Sequence, residues 1–404
     1  MHFILCKITK KNVTLLPLET KKQYYKQLLF RIMRKLFLML MLPLVAVSMS
    51  GCAEKEPEVK NIIYMIGDGM GLAQASLVKV ENKYAPTEYD RAHNVALQTN
   101  YSANNRVTDS AASGTALATG YKTNNGTLGL TPDGTRVESI MAKADKVGYE
   151  SGIVVTCYVN HATPGAFYAH RESRNDNDGI VADFMESSVD VLFGGGTRFF
   201  NDYFAKNNTT FDEAFKAKGF TILKEQSEMA SVSEGKVVGL FAETNIPLMR
   251  NGRGDYLPNA TAKALEILTN NVKKDGKKGF VLMVEGSQID GEGHSNNIEG
   301  VLAETRDFAK AVGVAMDYAD AHPGTLVVVT GDHETGGLTI PSNKTDFTLP
   351  ESGISYGFST TGHTGVMLPI YLYGTGAERI NGILDNTELS RSLQRMLGVW
   401  EDAE

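Results

Sequence analysis

The sequence predicts an α/β fold, a three-layer sandwich in which a central, mostly parallel sheet is covered by helices on both faces. Three observations point there. Short runs rich in Val, Ile and Leu alternate with segments of helical periodicity. Those runs lack the polar alternation of half-exposed strands, as strands buried on both faces do. Glycines and acids follow directly after several of them.

In chain order, the N-terminus is set aside first. Arg34 and Lys35 precede an apolar run, Leu36 to Val47, and Ser48-Met49-Ser50-Gly51-Cys52 follows. That is the layout of a bacterial export signal, and the run is too short to span a membrane stably. Residues 33–51 are read as a signal peptide of lipoprotein type, cut before a lipid-carrying Cys52, although Met49 replaces the usual Leu. Residues 1–32 are either untranslated upstream sequence or an extended n-region. Residues 52–60 form a polar tether, and 61–404 the catalytic domain. The expected location is the periplasm or, through a lipid anchor at Cys52, the outer membrane.

Cleavage removes nine Lys/Arg and one Glu, taking the formal charge from −7 to −15. Such a chain has no basic nucleic-acid footprint. Cys6 and Cys52 lie in the leader, so Cys157 is alone in the folded part and no intrachain disulfide can form.

Seven segments read as buried strands: Asn61 to Ile66, Gly152 to Thr156, Val189 to Phe193, Val237 to Phe241, Phe280 to Val284, Thr325 to Thr330 and Pro369 to Tyr373. Arg136 to Val147, Ala260 to Asn270 and Val301 to Ala321 carry apolar residues at helical spacing. Thr197 to Glu234 is polar and mixed, which suggests a small helical insertion on the rim. Open α/β sheets bind ligands at the carboxyl ends of their strands. Here four separated strands run into Asp68, into His161 and Thr163, into Glu285, and into Asp332-His333.

Thr108-Asp109-Ser110-Ala111-Ala112-Ser113 opens a small-residue helix. A serine there sits near free backbone N–H groups and the positive end of the helix dipole, which suits an alkoxide or a phosphate. Read alone, Asp109 or Ser110 serves equally as a plain N-cap. Ser110 is not set in a Gly-x-Ser-x-Gly elbow, so nothing around it suggests that acyl-transfer pattern. Asp290 and His294 are four residues apart, so a helical turn puts both on one face, and a carboxylate with an imidazole suits zinc. Asp332 and His333 can converge on a second metal if the chain turns at Gly336-Gly337. His363, between Gly362 and Thr364-Gly365, gains meaning only from this company.

The set Ile66-Gly67-Asp68-Gly69-Met70, Thr108 to Ser113, His161-Ala162-Thr163-Pro164, Val284-Glu285-Gly286 with Asp290 and His294, Gly331-Asp332-His333-Glu334 and Gly362-His363-Thr364-Gly365 resembles the alkaline phosphatases. The likeness runs from about Asn61 to the C-terminus. It implies one zinc on Asp290, His294 and His363, a second on Asp68, Asp332 and His333, and a magnesium on Asp68, Thr163 and Glu285. Ser110 would be the nucleophile and Arg174 the phosphate clamp, with Arg171 its rival. Asp109 and His161 would lie against the substrate. The reaction implied is hydrolysis of small phosphate monoesters at alkaline pH, through a phosphoserine that metal-activated water opens.

The sequence departs from the family at three points. His161 stands where enterobacterial members have an acid and animal members a histidine, so the third ion is either weakly held magnesium or zinc. Gly291 replaces a frequently basic residue, which predicts faster product release. The chain is also short between Arg174 and Asp290, so the accessory domain is reduced. Family members are commonly dimers, which implies a homodimer, yet shortening leaves less surface for one. The alternatives are a phosphodiesterase on the same scaffold and a zinc- or phosphate-binding lipoprotein without turnover.

Overall fold

The computed structural model describes residues 22, 25–35, 57–342 and 354–400. The signal segment from residue 36 onward and Cys52 lie outside the described residues. Residues 25–35 form an exposed helix within a unit, 1–56, that is separate from the main one, 57–404. Among the described residues no helix is long and apolar enough to cross a membrane.

The main unit carries β1 Asn61–Gly67, β2 Asn94–Thr99, β3 Tyr149–Tyr158, β4 Val191–Gly195, β5 Phe220–Leu223, β6 Lys236–Leu240, β7 Gly279–Gly286 and β8 Thr325–Gly331. Four two-residue pieces follow: β9 Glu334–Thr335, β10 Leu338–Thr339, β11 Gly357–Phe358 and β12 His363–Thr364. Then come β13 Leu368–Gly374 and β14 Gly382–Asp385. The large sheet has ten strands in the order β14-β2-β13-β8-β1-β7-β3-β4-β6-β5. All its pairings are parallel except those of β13, which runs antiparallel to both β2 and β8. All seven strands expected from sequence are present.

Burial explains why these runs are continuous. Along β1, Ile62, Tyr64 and Ile66 enter one core and Ile63 and Met65 the other, so neither face meets water. Helices Leu72–Glu81, Tyr256–Asp275 and Ile298–Ala321 pack on the second face through Leu77, Leu257 and Phe308. Helices Ser110–Thr119, Ile140–Lys146 and Asn386–Met396 cover the first through Leu117, Ile140 and Leu389. The helix expected from Arg136 starts at Ile140, because Ser139 caps it by accepting from the Ala142 N–H.

The stretch 197–234 holds helices Thr197–Lys206 and Phe211–Ala217, and also β5, the edge strand of the main sheet. Phe200, Phe204, Phe211, Phe215 and Phe220 from it join the first core. It extends the central fold in addition to supplying helices.

Candidate active site

Three neighbouring parallel strands, β8-β1-β7, end level with one another, and β3 beside β7 runs on past them to Tyr158. Gly67 is opposite both Gly286 and Gly331, so the residues just beyond them gather at one edge. Because β13 is antiparallel, it enters the sheet at that same edge and brings His363, five residues upstream, to the ligands. β2 ends there as well and leads to the helix of Ser110. Gly69 lets the loops close up. Its φ is +78°, and a Cβ on it would lie 2.7 Å from the Asp290 Cα.

The first cluster joins Asp290, His294 and His363. Asp290 Oδ1 is 3.2 Å from His294 Nε2 and 3.5 Å from His363 Nε2, and the two imidazole nitrogens are 3.2 Å apart. His294 Nδ1 lies 2.6 Å from the Thr361 carbonyl and His363 Nδ1 2.9 Å from that of Thr108. A carbonyl only accepts, so each Nδ1 carries the proton and each Nε2 offers a lone pair. Two lone pairs beside a carboxylate call for a cation. The spacings match the roughly 3.3 Å edge of a tetrahedron built on zinc bonds of about 2.0 Å. Without the ion, the hydrogen bond to Asp290 pushes His294 up to about 9. Burial opposes ionisation of Asp290, but the hydrogen bonds from His294 and His363 prevail and hold it well below the usual carboxylate range.

The second cluster is Asp68, Asp332 and His333, all fully buried. His333 Nε2 is 3.3 Å from Asp68 Oδ1 and 3.3 Å from Asp332 Oδ2. Thr335 settles the tautomer. Its one hydroxyl proton goes to Asp290 Oδ1 at 2.5 Å, so it must accept from His333 Nδ1 at 3.1 Å. His333 Nε2 is therefore a bare lone pair facing two carboxylates. Asp332 is fixed by the N–H groups of Gly69 and His333, both on Oδ1, while Oδ2 and Asp68 Oδ1 have no hydrogen-bond partner among the described residues. Burial, with Asp332 adding to it, raises Asp68 well above its ordinary value, and burial pushes Asp332 up to about 6. Buried carboxylates arranged this way fit a divalent cation and are costly without one.

Beyond Asp68 lie Thr163 and Glu285. Thr163 donates to Asp68 Oδ2 at 3.5 Å, and Glu285 Oε1 is buried with no hydrogen-bond partner among the described residues. Burial, then the Asp332 charge, lift Glu285 to about 8. These oxygens also suit a divalent ion. Cys157, which the sequence singled out only as unpaired, faces the same space with its Sγ 3.6 Å from Glu285 Oε2.

Of Asp109 and Ser110, between which the sequence left the cap open, Asp109 takes it, accepting from the Ala112 N–H at 3.0 Å, and Ser110 is the first helical residue. Ser110 Oγ lies 3.1 Å from His333 Nε2, against the second cluster. Arg174 donates to Asp109 Oδ2 at 3.1 Å and sits 2.9 Å from His161 Nε2. A guanidinium only donates, so that nitrogen accepts. Burial, then the Arg174 charge, push His161 down to about 3, so it stays neutral. Arg171 turns away to Asp183, 2.6 Å from it, which removes it as rival clamp.

Glu334 is the residue whose part the sequence did not reveal. It accepts from Gln74 Nε2, the Leu338 and Gly337 N–H groups and the Thr364 hydroxyl. Those contacts tie the His333 loop to the His363 loop, where β9 and β12 pair. The only sequence signal was an acid beside the ligand pair.

Comparison with known proteins identifies the family. The family model described as "Alkaline phosphatase" matches residues 59–353. Alkaline phosphatase 4 of Bacillus subtilis is 30% identical over 423 residues, covering 85% of this chain and 90% of that protein. The structure of alkaline phosphatase from the Antarctic bacterium TAB5 superposes with a TM-score of 0.78 at 36% identity, covering 86% of this chain and 100% of that one. A histidine-to-aspartate variant of that enzyme, solved with magnesium in its M3 site, gives 0.77 at 35% identity over 86% of this chain and 100% of that one. This chain belongs to the alkaline phosphatase family, metal-dependent enzymes that hydrolyse phosphate monoesters.

Proposed function

We propose that the chain cleaves phosphate monoesters with Ser110 as nucleophile, beside two zinc ions and a third divalent ion. The observation that carries this reading is the bare Nε2 of His333, which faces Asp68 and Asp332 with the Ser110 hydroxyl 3.1 Å away. Asp290, His294 and His363 would hold one zinc, Asp68, Asp332 and His333 the other, and Asp68, Thr163 and Glu285 the third ion. Bound there, the ions would supply Lewis-acid stabilisation of the attacking and leaving oxygens and lower the pKa of the serine hydroxyl.

The chain does the rest. The Arg174 fork grips two phosphate oxygens, with Asp109 and His161 fixing its plane. Ser110 Oγ, its proton passed to water, attacks phosphorus in line, its bond to phosphorus forming as the bond to the alcohol oxygen breaks, and the alkoxide leaves as the alcohol by taking a proton from water. The first N–H groups of the helix Ser110–Thr119 face the developing charge. Water then replaces the serine oxygen and frees inorganic phosphate. Export by the N-terminal signal, a lipid anchor at Cys52 and pairing as a homodimer complete the reading.

The test compares nitrophenyl phosphate with bis-nitrophenyl phosphate after chelation and after zinc and magnesium are restored. The monoester should react much faster, and only with metal. A faster diester reaction would establish the phosphodiesterase alternative, and no turnover of either ester the binding-protein alternative.

A further inference from the structure

Cys157 leaves the regular path of its strand. The pairing of β3 with β4 shifts register between Val154 and Tyr158, an irregularity of the kind that re-aims side chains beside active sites. Ser287 Oγ accepts from the N–H groups of both Thr156 and Cys157, which locks the shifted backbone. The thiol is thereby carried, buried, to Glu285, whose other oxygen, Oε1, is buried with no hydrogen-bond partner among the described residues. Cys157, His161 and Glu285 each present a donor atom within 4.8 Å of the others. The 3.6 Å from Sγ to Oε2 equals the spacing of about 3.6 Å expected when zinc holds both a sulfur and an oxygen. His161 is differently placed. Its Nε2 accepts from Arg174, so the neutral ring keeps its proton on Nδ1 and that nitrogen offers no lone pair.

We infer that Cys157 is a thiolate ligand of the third metal site, together with Glu285, and that the site therefore selects zinc over magnesium. On binding, the S–H proton passes to solvent as the sulfur–metal bond forms. Sulfur is a poor partner for magnesium and a good one for zinc or cobalt. The soft character thus comes from Cys157, whereas His161 holds Arg174. The inference rests on the three-metal reading above and adds a ligand to it.

The test uses the chain with Cys6 and Cys52 replaced by Ser, leaving one thiol, stripped of metal and titrated with cobalt(II). Two equivalents should bind and restore phosphatase activity. A third should bring a near-ultraviolet thiolate-to-cobalt charge-transfer band that Cys157→Ser abolishes without loss of the first two ions. In the unmutated site, a hundredfold excess of magnesium should leave the band in place. A third equivalent that gives no band, or a band that magnesium removes at equal concentration, overturns the inference even if the Ser variant fails to fold. Failure of the first two equivalents to bind would instead overturn the three-metal reading.

Discussion

The Ser110 hydroxyl oxygen lies 3.1 Å from Nε2 of His333, whose other ring nitrogen is tied down by Thr335. One short helix and one strand end, 223 residues apart in sequence, thus put a hydroxyl against the free lone pair of a buried imidazole. Ser110→Ala should lower kcat by at least about 10³-fold, the scale on which loss of a nucleophile is felt. Metal content should stay as in the parent, because Ser110 supplies none of the carboxylate or imidazole donors. Turnover that survives undiminished, with metal analysis unchanged, would falsify the serine mechanism.

Arg174 is held between Asp109 and His161, so its planar fork is aimed before substrate arrives. Arg174→Ala should cost about 10- to 100-fold in kcat/KM, the worth of charge-assisted hydrogen bonds of roughly 1.5–3 kcal/mol. Much of it should appear in KM, and inhibition by inorganic phosphate should weaken in parallel. Arg174→Lys should recover part of the loss, since it keeps the charge and gives up the fork. Steady-state kinetics with phosphate as inhibitor measures all three.

Several candidate ligands were legible because they lie at the end of a buried strand whose apolar run is unmistakable, and parallel strands deliver their carboxyl ends to one edge. Asp68, Glu285 and Asp332 were found that way. Thr335 and the carbonyls of Thr108 and Thr361 were not, because a tautomer is set by contacts that close only in three dimensions. The aim of Cys157 depends on an irregularity in β3 that no residue type announces. The Phe200/Phe204 and Phe211/Phe215 pairs did announce buried helices at i,i+4 spacing, but surrounding charges made that stretch read as rim.

Chelation should make stability fall with pH across the neutral range. Glu285 titrates at about 8 when folded against about 4.3 unfolded, so the folded state holds a proton that the unfolded state has lost. His294, at about 9 against about 6.5, acts in the same direction: its contribution is complete below the unfolded value and disappears as pH rises through the folded one. His161 and His333, both pushed down to about 3 chiefly by burial, oppose the trend only around pH 6.5, where each unfolded imidazole is still half protonated, and too weakly to reverse it; the opposition fades by about pH 7.5. Thermal unfolding of chelated protein should therefore show Tm declining between about pH 6.5 and 8. Restored metal should raise Tm most at the alkaline end, where ligands are already deprotonated. A Tm of the chelated protein that climbs over this window would contradict the buried-carboxylate account.

Glu334 touches neither metal cluster in the reading above, yet it joins the loops that carry His333 and His363. Glu334→Ala should weaken zinc binding about 10- to 100-fold, as loss of a supporting hydrogen-bond partner commonly does. Saturating zinc should then return most of the activity, which loss of a direct ligand would not allow. Glu334→Gln should be milder, because it still accepts at one oxygen. Competition with a zinc chelator at fixed pH reports the affinity directly.

Gly291 tests how the missing basic residue shapes product release. It sits on the helix Ile289–His294 directly after Asp290, and a Cβ built there meets nothing within 4 Å. A Cβ therefore fits without moving the backbone, and a glycine inside a helix gives up about 1 kcal/mol of propensity, most of which a lysine recovers. Next to Asp290, its ammonium would add positive charge beside the proposed phosphate site. An attraction of roughly 1 kcal/mol across partly screened solvent corresponds to about a fivefold change in binding. Gly291→Lys should accordingly tighten inhibition by inorganic phosphate about fivefold and lower kcat where release limits turnover. Burst kinetics separates release from chemistry. Unchanged phosphate inhibition in a folded, metal-loaded variant would mean that position 291 does not look toward the phosphate, and that the fast release expected of this chain has another origin.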